Sequence, residues 1–199
     1  MVSAILLAAG NSKRMGEQDK LQLKYKGHWL INHVMQQLWA ANIDELIIVR
    51  KDNSENLFEG RNSERIKIAM NPDAEKGMTT SIQAGVRLAK KESQGYMVCQ
   101  ADMPLITTSE YNKIIASFES NIANEPRLIT IPFFQNQKGN PIILSAAYKQ
   151  DILDHQEMEG CRALVKSNFQ FVTKVEMKER HVLIDVDTPK DWERLQSQY

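Results

Sequence analysis

Short apolar runs recur along the chain, and amphipathic stretches separate most of them. Val2 to Ala8 is the first run and predicts a buried strand. Trp29 to Ala41 carries Leu30, Val34, Leu38 and Ala41 at helical spacing. Further strands are predicted at Glu45 to Val49, Ile66 to Met70 and Tyr96 to Gln100. A helix is predicted over Thr79 to Ala89, with Thr80 and Gln83 at capping-box spacing, and another from Thr107, whose partner Glu110 has the same spacing, to Phe118. Leu128 to Pro132, Pro141 to Leu144, Phe169 to Val175 and Val182 to Ile184 read as strands. Two short helices are expected near Ala146 to Leu153 and Cys161 to Lys166. Thr188 caps a terminal helix that Pro189 opens and that runs through Leu195.

Strands that alternate with helices imply an α/β fold with a mostly parallel sheet and helices on both faces. Ligands of such folds gather at the carboxyl ends of the strands. The 199 residues suit one domain spanning 1–199. No repeat or low-complexity tract interrupts them. Lys plus Arg total 25 and Asp plus Glu total 25, so no global charge favours nucleic acid or an anionic membrane. Anion binding must come from a local cluster. Cys99 and Cys161 form no Cys-x-x-Cys pair, and a reduced, cytoplasmic protein is expected. Cys99 lies in an apolar strand and reads as buried, whereas Cys161, beside Gly160 and Arg162, reads as more exposed. No signal peptide is recognised, and no run approaches the about 18 apolar residues of a membrane span.

Chemistry concentrates in five loops. The first strand runs into Ala8-Ala9-Gly10, then Asn11-Ser12-Lys13-Arg14-Met15-Gly16, then Asp19-Lys20. Small residues permit close backbone approach, Gly10 has access to positive φ, and successive N–H groups can cradle phosphate beside Lys13, Arg14 and Lys20. The same residues also describe a surface loop with solvated cations. Neither a Walker sequence nor Gly-x-Gly-x-x-Gly is present. Asp102 stands just past a buried strand in Gln100-Ala101-Asp102-Met103-Pro104, where it either holds a hard cation such as Mg²⁺ or serves as a turn aspartate. Asp185 and Asp187 flank Val186 and share a direction if the strand persists; one of them is a second metal ligand, or both are caps. Lys76-Gly77-Met78-Thr79-Thr80-Ser81 opens a helix and suits base, ribose or phosphate contacts, or simple capping. Lys138-Gly139-Asn140-Pro141 is a turn. The four histidines show no metal-ligand spacing, and no serine or cysteine nucleophile motif occurs.

Together, LLAAGNSKRMG, Asp19-Lys20-Leu21, GMTTSIQAG, QADMPL, KGNP and IDVDTPKDW resemble the nucleotidyltransferases that make the molybdenum cofactor dinucleotide. The resemblance covers nearly the whole chain. It is nearest the molybdenum cofactor cytidylyltransferase branch of the MobA-like superfamily, which includes accessory proteins of xanthine dehydrogenase. Ala9 stands where the guanylyl branch has a second Gly. Asn140 departs from the Gly-His-Pro usual in the cytidylyl branch.

The resemblance implies a Rossmann-like, three-layer α/β/α fold of the glycosyltransferase-A type. It implies transfer of a cytidylyl group from CTP to the terminal phosphate of molybdenum-loaded molybdopterin, with Mg²⁺ as cofactor and pyrophosphate as by-product. Asp102 and Asp187 would hold the metal. Arg14 and Lys20 would neutralise the triphosphate and, with Asp102, form the catalytic set. Ala8, Ala9, Gly10, Gly77, Thr80 and Ser81 would contact the nucleotide along with Lys20. A transient complex with a molybdenum hydroxylase is compatible with this role. Rival readings are guanylyl transfer to molybdopterin, nucleotidyl transfer to a sugar or polyol phosphate, and a non-catalytic chaperone that carries the cofactor.

Overall fold

The computed structural model describes residues 1–10, 15, 20–51 and 64–198. From the N-terminus come β1 (Val2–Leu7), a hairpin of β2 (Lys24–Tyr25) and β3 (His28–Trp29), α1 (Leu30–Trp39), β4 (Glu45–Arg50), β5 (Ile66–Met70), α2 (Met78–Leu88) and β6 (Gly95–Gln100). Then follow α3 (Thr108–Asn121), β7 (Ile129–Phe134), β8 (Gln137–Lys138), β9 (Ile142–Ser145), α4 (Lys149–Asp154), α5 (Arg162–Ser167), β10 (Val172–Glu176) and α6 (Pro189–Gln198). The main sheet has the order β10-β7-β9-β6-β1-β4-β5, and β8 pairs with β7.

β1 is apolar on both faces because helices cover both. Ala4 and Leu6 pack with Ile31, Val34 and Leu38 of α1 and with Ile114 and Phe118 of α3. Ile5 faces the other way, toward Ile82 and Val86 of α2 and Ile152 of α4. The result is a three-layer α/β/α arrangement around a mostly parallel sheet. A smaller cluster of Tyr25, Leu30, Leu105, Val186 and Leu195 fastens α6 and the β2–β3 hairpin to the body.

Within this mostly parallel sheet, β9 runs antiparallel to both β6 and β7. Other expectations are corrected. Phe169–Phe171 forms a 3-10 turn, so only Val172–Glu176 enters the sheet. Arg180–Leu183 is also a 3-10 turn rather than part of a strand. Its Val182 carbonyl accepts a single bond from the Asn140 N–H at 2.9 Å instead of joining a ladder, and the Val182 side chain is fully buried. The Thr107–Glu110 capping box is present. The Thr80–Gln83 box is not, because α2 starts at Met78 with Gly77 as its N-cap. The Gln83 amide instead donates to the carbonyls of Ile152, Leu153 and His155, tying α2 to the end of α4.

At the opposite edge from the site, fully buried Glu45 opens β4. Its Oε1 accepts from Ser3 Oγ at 2.6 Å and from the Lys90 N–H at 2.7 Å. The Lys67 ammonium lies 2.8 Å from Oε2, an ion-pair distance off the line of a good hydrogen bond. Burial pushes this carboxyl's pKa up, but Lys67, the Lys90 amide and Ser3 outweigh it and hold it below its ordinary value. Stability from such a group is present above the unfolded pKa and is lost as pH falls through the folded one. Urea melts should therefore show stability falling below roughly pH 4.3. Glu45→Gln should lower stability at neutral pH and flatten that acid slope; identical slopes in the two proteins would reject the assignment.

Candidate active site

Three loops leave the same edge of the sheet, held there by backbone bonds beyond the strand ends. The Ala8 N–H donates to Val49 O at 2.9 Å, Asn71 N–H to Arg50 O at 2.7 Å, and Ala101 N–H to Leu7 O at 3.3 Å. A cavity of about 400 Å³ opens between them. Ala9, Gly10, Lys20, Gly77, Ser81, Asp102, Asp185 and Asp187 line it, together with Gln100 and Met78. Eight residues singled out in the sequence thus meet in one place. Ala8 and Thr80 are not part of the lining. Arg14, with Asn11 to Lys13 and Gly16 to Asp19, lies outside the described residues.

Lys20 is the centre of the arrangement. It begins a 3-10 turn whose next residue, Leu21, is buried and anchors the turn. Its ammonium donates to Asp102 Oδ2 at 2.6 Å and to Asp187 Oδ1 at 2.7 Å. Asp102 is placed by the exit of β6. Asp187 is placed from both sides. The preceding Val186 is fully buried and donates its N–H to the Asp102 carbonyl at 2.9 Å. The following Thr188 caps α6, accepting from the Asp191 N–H at 3.2 Å while its own N–H donates to Asp191 Oδ2 at 2.8 Å. No strand is assigned at Asp185–Asp187, yet both carboxylates reach the cavity because buried Val186 turns its neighbours outward.

Burial raises the Asp102 carboxyl above its ordinary pKa, and Lys20 only partly offsets this. Burial alone would lower the Lys20 ammonium, but Asp102 and Asp187 reverse that and leave it raised. Asp185 is raised by burial and by the charges of Asp102 and Asp187. Among the described residues, the site is thus a cluster of three carboxylates against which the buried Lys20 ammonium is set as counter-ion.

Asp102 Oδ1 is buried and has no hydrogen-bond partner. An orphaned carboxylate oxygen beside two further carboxylates suits a hard divalent ion. Among the described residues no three Asp, Glu, His or Cys side chains converge on one metal position. That also fits an ion such as Mg²⁺, which commonly takes one or two carboxylates and fills its shell with water and phosphate oxygens.

Behind Ser81, outside the cavity lining, stands a residue not singled out in the sequence. Asn71, nearly fully buried at the end of β5, donates through Nδ2 to Ser81 Oγ at 2.9 Å and to Thr80 Oγ1 at 3.0 Å. Thr80 Oγ1 also donates toward the Gly77 carbonyl at 2.9 Å. Thr80 therefore braces the start of α2, while Ser81 faces the cavity. Only the pairing of β5 with the α2 N-terminus reveals Asn71, and no local motif carries that information. Lys138-Gly139-Asn140-Pro141 lies outside the cavity and packs on the Arg180–Leu183 turn, with a cis Asn140–Pro141 peptide. Both cysteines are buried, which corrects the expectation for Cys161. Burial pushes the Cys161 thiol up to about 12 and Cys99 higher still, so neither is a nucleophile at neutral pH.

A mostly parallel α/β sheet that gathers carboxylates and a lysine at the carboxyl ends of its strands puts the candidate site where folds of this class bind ligands. The family follows from comparison. Residues 4–174 match the MobA-like NTP transferase domain, and the chain belongs to that family of nucleotidyltransferases. It is 27% identical to purine catabolism protein PucB of Bacillus subtilis, covering 95% of this chain and 93% of that one. It is 24% identical to the molybdenum cofactor cytidylyltransferase of Escherichia coli, covering 100% and 97%, and 24% identical to nicotine blue oxidoreductase of Paenarthrobacter nicotinovorans, covering 98% and 96%. Among solved structures, Rv0371c of Mycobacterium tuberculosis superposes with a TM-score of 0.83 at 18% identity over 99% and 98% of the two chains. Its manganese complex gives 0.80 at 18% identity over 100% and 99%. These structures share the fold. No helix among the described residues is long and apolar enough to cross a membrane.

Proposed function

We propose that the protein transfers a cytidylyl group from CTP to the terminal phosphate of molybdopterin, releasing pyrophosphate. The observation that carries nucleotidyl transfer is the Lys20 bridge between Asp102 and Asp187 in the lining of the cavity. Cytidylyl specificity rests on Ala9, which lines that cavity, and on similarity to the Escherichia coli cytidylyltransferase.

The acceptor phosphate is already an anionic nucleophile, so no side chain need deprotonate it. An acceptor oxygen forms a bond to the α-phosphorus of the nucleotide. The bond from that phosphorus to the α–β bridging oxygen breaks, and pyrophosphate leaves with the electron pair. The barrier is the mutual repulsion of the two anions and the charge gathering on the α-phosphate, so alignment and cations supply the catalysis. Lys20 would neutralise phosphate oxygens, with Arg14 as its proposed companion. The backbone at Ala9 and Gly10 and the Ser81 hydroxyl would hold the nucleoside. Asp102 and Asp187 would hold Mg²⁺ or Mn²⁺, which when bound supplies Lewis-acid stabilisation of the phosphoryl oxygens.

Guanylyl transfer is the second reading, since a probable molybdenum cofactor guanylyltransferase of Clostridium perfringens is 26% identical over 97% of this chain. Incubating the protein with each NTP, a divalent metal and either molybdopterin or sugar and polyol phosphates, while measuring pyrophosphate, separates the readings. Release is expected with CTP and molybdopterin. Release with GTP and not CTP would overturn the cytidylyl assignment. No release with any pair would favour a cofactor carrier.

A further inference from the structure

We infer that Lys20 acts as an internal counter-ion that keeps a divalent metal off the Asp102–Asp187 pair until a triphosphate arrives. The inference rests on the nucleotidyl-transfer reading for the identity of the triphosphate. Its physical basis is independent of which base or acceptor is used.

The ammonium touches both carboxylates, at 2.6 and 2.7 Å. It uses Oδ2 of Asp102 and leaves Oδ1 buried and unpartnered. A divalent ion on Oδ1 would stand roughly 2.1 Å from that oxygen. The two oxygens of one carboxylate are close neighbours, so the ion and the ammonium would lie within a few ångströms of one another. Their repulsion would be poorly screened, because both the Lys20 side chain and that of Asp102 are largely buried, at 13% and 16% exposure. Asp187 offers no separate refuge, since the same ammonium holds its Oδ1. Asp185 adds negative charge, but it belongs to the same crowded cluster.

A triphosphate changes this balance. Its oxygens offer Lys20 a new partner in the same cavity and add enough negative charge for two cations to coexist. The metal therefore enters with the nucleotide rather than ahead of it. Lys20 has two roles in this scheme: it excludes a lone metal ion, and it then neutralises the phosphates. The first role acts on when the metal binds and involves no contact with the reacting atoms.

The test measures Mn²⁺ alone binding to the full chain by electron paramagnetic resonance of the free ion, without nucleotide. Lys20→Met, which keeps the length and removes the charge, should bind Mn²⁺ about tenfold or more tightly than the wild type. Lys20→Arg, which keeps the charge, should bind as weakly as the wild type. Adding Asp187→Asn to Lys20→Met should abolish the gain. Lys20→Gln repeats the neutral arm should Lys20→Met fail to fold. Equal Mn²⁺ affinity in the wild type and a folded neutral variant would overturn the inference, and so would equal tightening by Lys20→Arg. Either outcome leaves pyrophosphate release by the wild type untouched. Conversely, absence of pyrophosphate release with every nucleotide would sink the transferase reading while the Mn²⁺ gain could still be observed.

Discussion

Asp102→Asn should lower pyrophosphate release by roughly 10²- to 10³-fold, the usual cost of removing one stabiliser of charge developing at the reacting group. The substitution keeps the side-chain volume and one acceptor oxygen, removes the charge and turns the other acceptor into an NH2 donor. The fold should tolerate it. Burial already disfavours the ionised form of Asp102, and Lys20 retains Asp187 as a partner, so the change leaves no isolated buried cation. The melting temperature should therefore stay within a few degrees of the wild type, as expected for about 1 kcal/mol in a chain of this length. Full release by the variant would remove Asp102 from the chemistry. Loss of cooperative unfolding alongside loss of release would assign it to the scaffold.

The strands that carry this site are legible in the sequence because each is buried on both faces. An uninterrupted apolar run such as Leu46 to Val49, or Tyr96 to Cys99, has few other uses in a chain of this composition. Strand direction is not encoded that way. Ile142–Ser145 looks like its neighbours, and only the chain path makes it antiparallel between β6 and β7. Val182–Ile184 is apolar for a different reason, since Val182 plugs the space above Gly139. A run of three apolar residues does not distinguish a plug from a strand.

The site was legible as parts, and its connectivity was not. Asp102 and Lys20 each announce themselves by charge beside a buried strand. That one ammonium joins residues 82 and 167 positions away is a fact of the fold. The pairing of Asp185 with Asp187 shows how a correct direction can come from an incorrect element. The alternation survives without a strand because Val186 is locked into the core and bonded to the Asp102 carbonyl. Thr80 shows the reverse. Its place in a segment that opens a helix suggested nucleotide contact or a cap, and a helix start one residue earlier engages its hydroxyl with Asn71 and Gly77.

Gly77→Ala should cost roughly 2 to 4 kcal/mol of stability and raise the KM for nucleotide, a larger effect than the better-known-looking glycine of the first loop would give. Gly77 sits at φ 113° and ψ 174°, a region essentially reserved for glycine. A Cβ there would lie 2.6 Å from the Met158 carbonyl oxygen and 2.8 Å from Met158 Cβ, so backbone would have to move. That carbonyl accepts the Met78 N–H at 3.0 Å, one of the otherwise unpaired donors at the start of α2. The Gly160 N–H donates to Thr79 Oγ1 at 3.0 Å, so displacing Met158 loosens both the Met158–Gly160 segment and the helix start. Gly77 and Ser81 line the cavity, and nucleotide binding should weaken with them. Gly10 is the contrast. It has no positive φ, and among the described residues nothing lies within 4 Å of a Cβ built there. Gly10→Ala should change stability by no more than about 0.5 kcal/mol, as for an uncrowded surface site. It should act only on the KM for nucleotide, because the added methyl projects from a residue that lines the cavity. Urea melts and steady-state kinetics on the two variants test this. Equal losses of stability would mean that the first loop, rather than the start of α2, is where the backbone needs glycine.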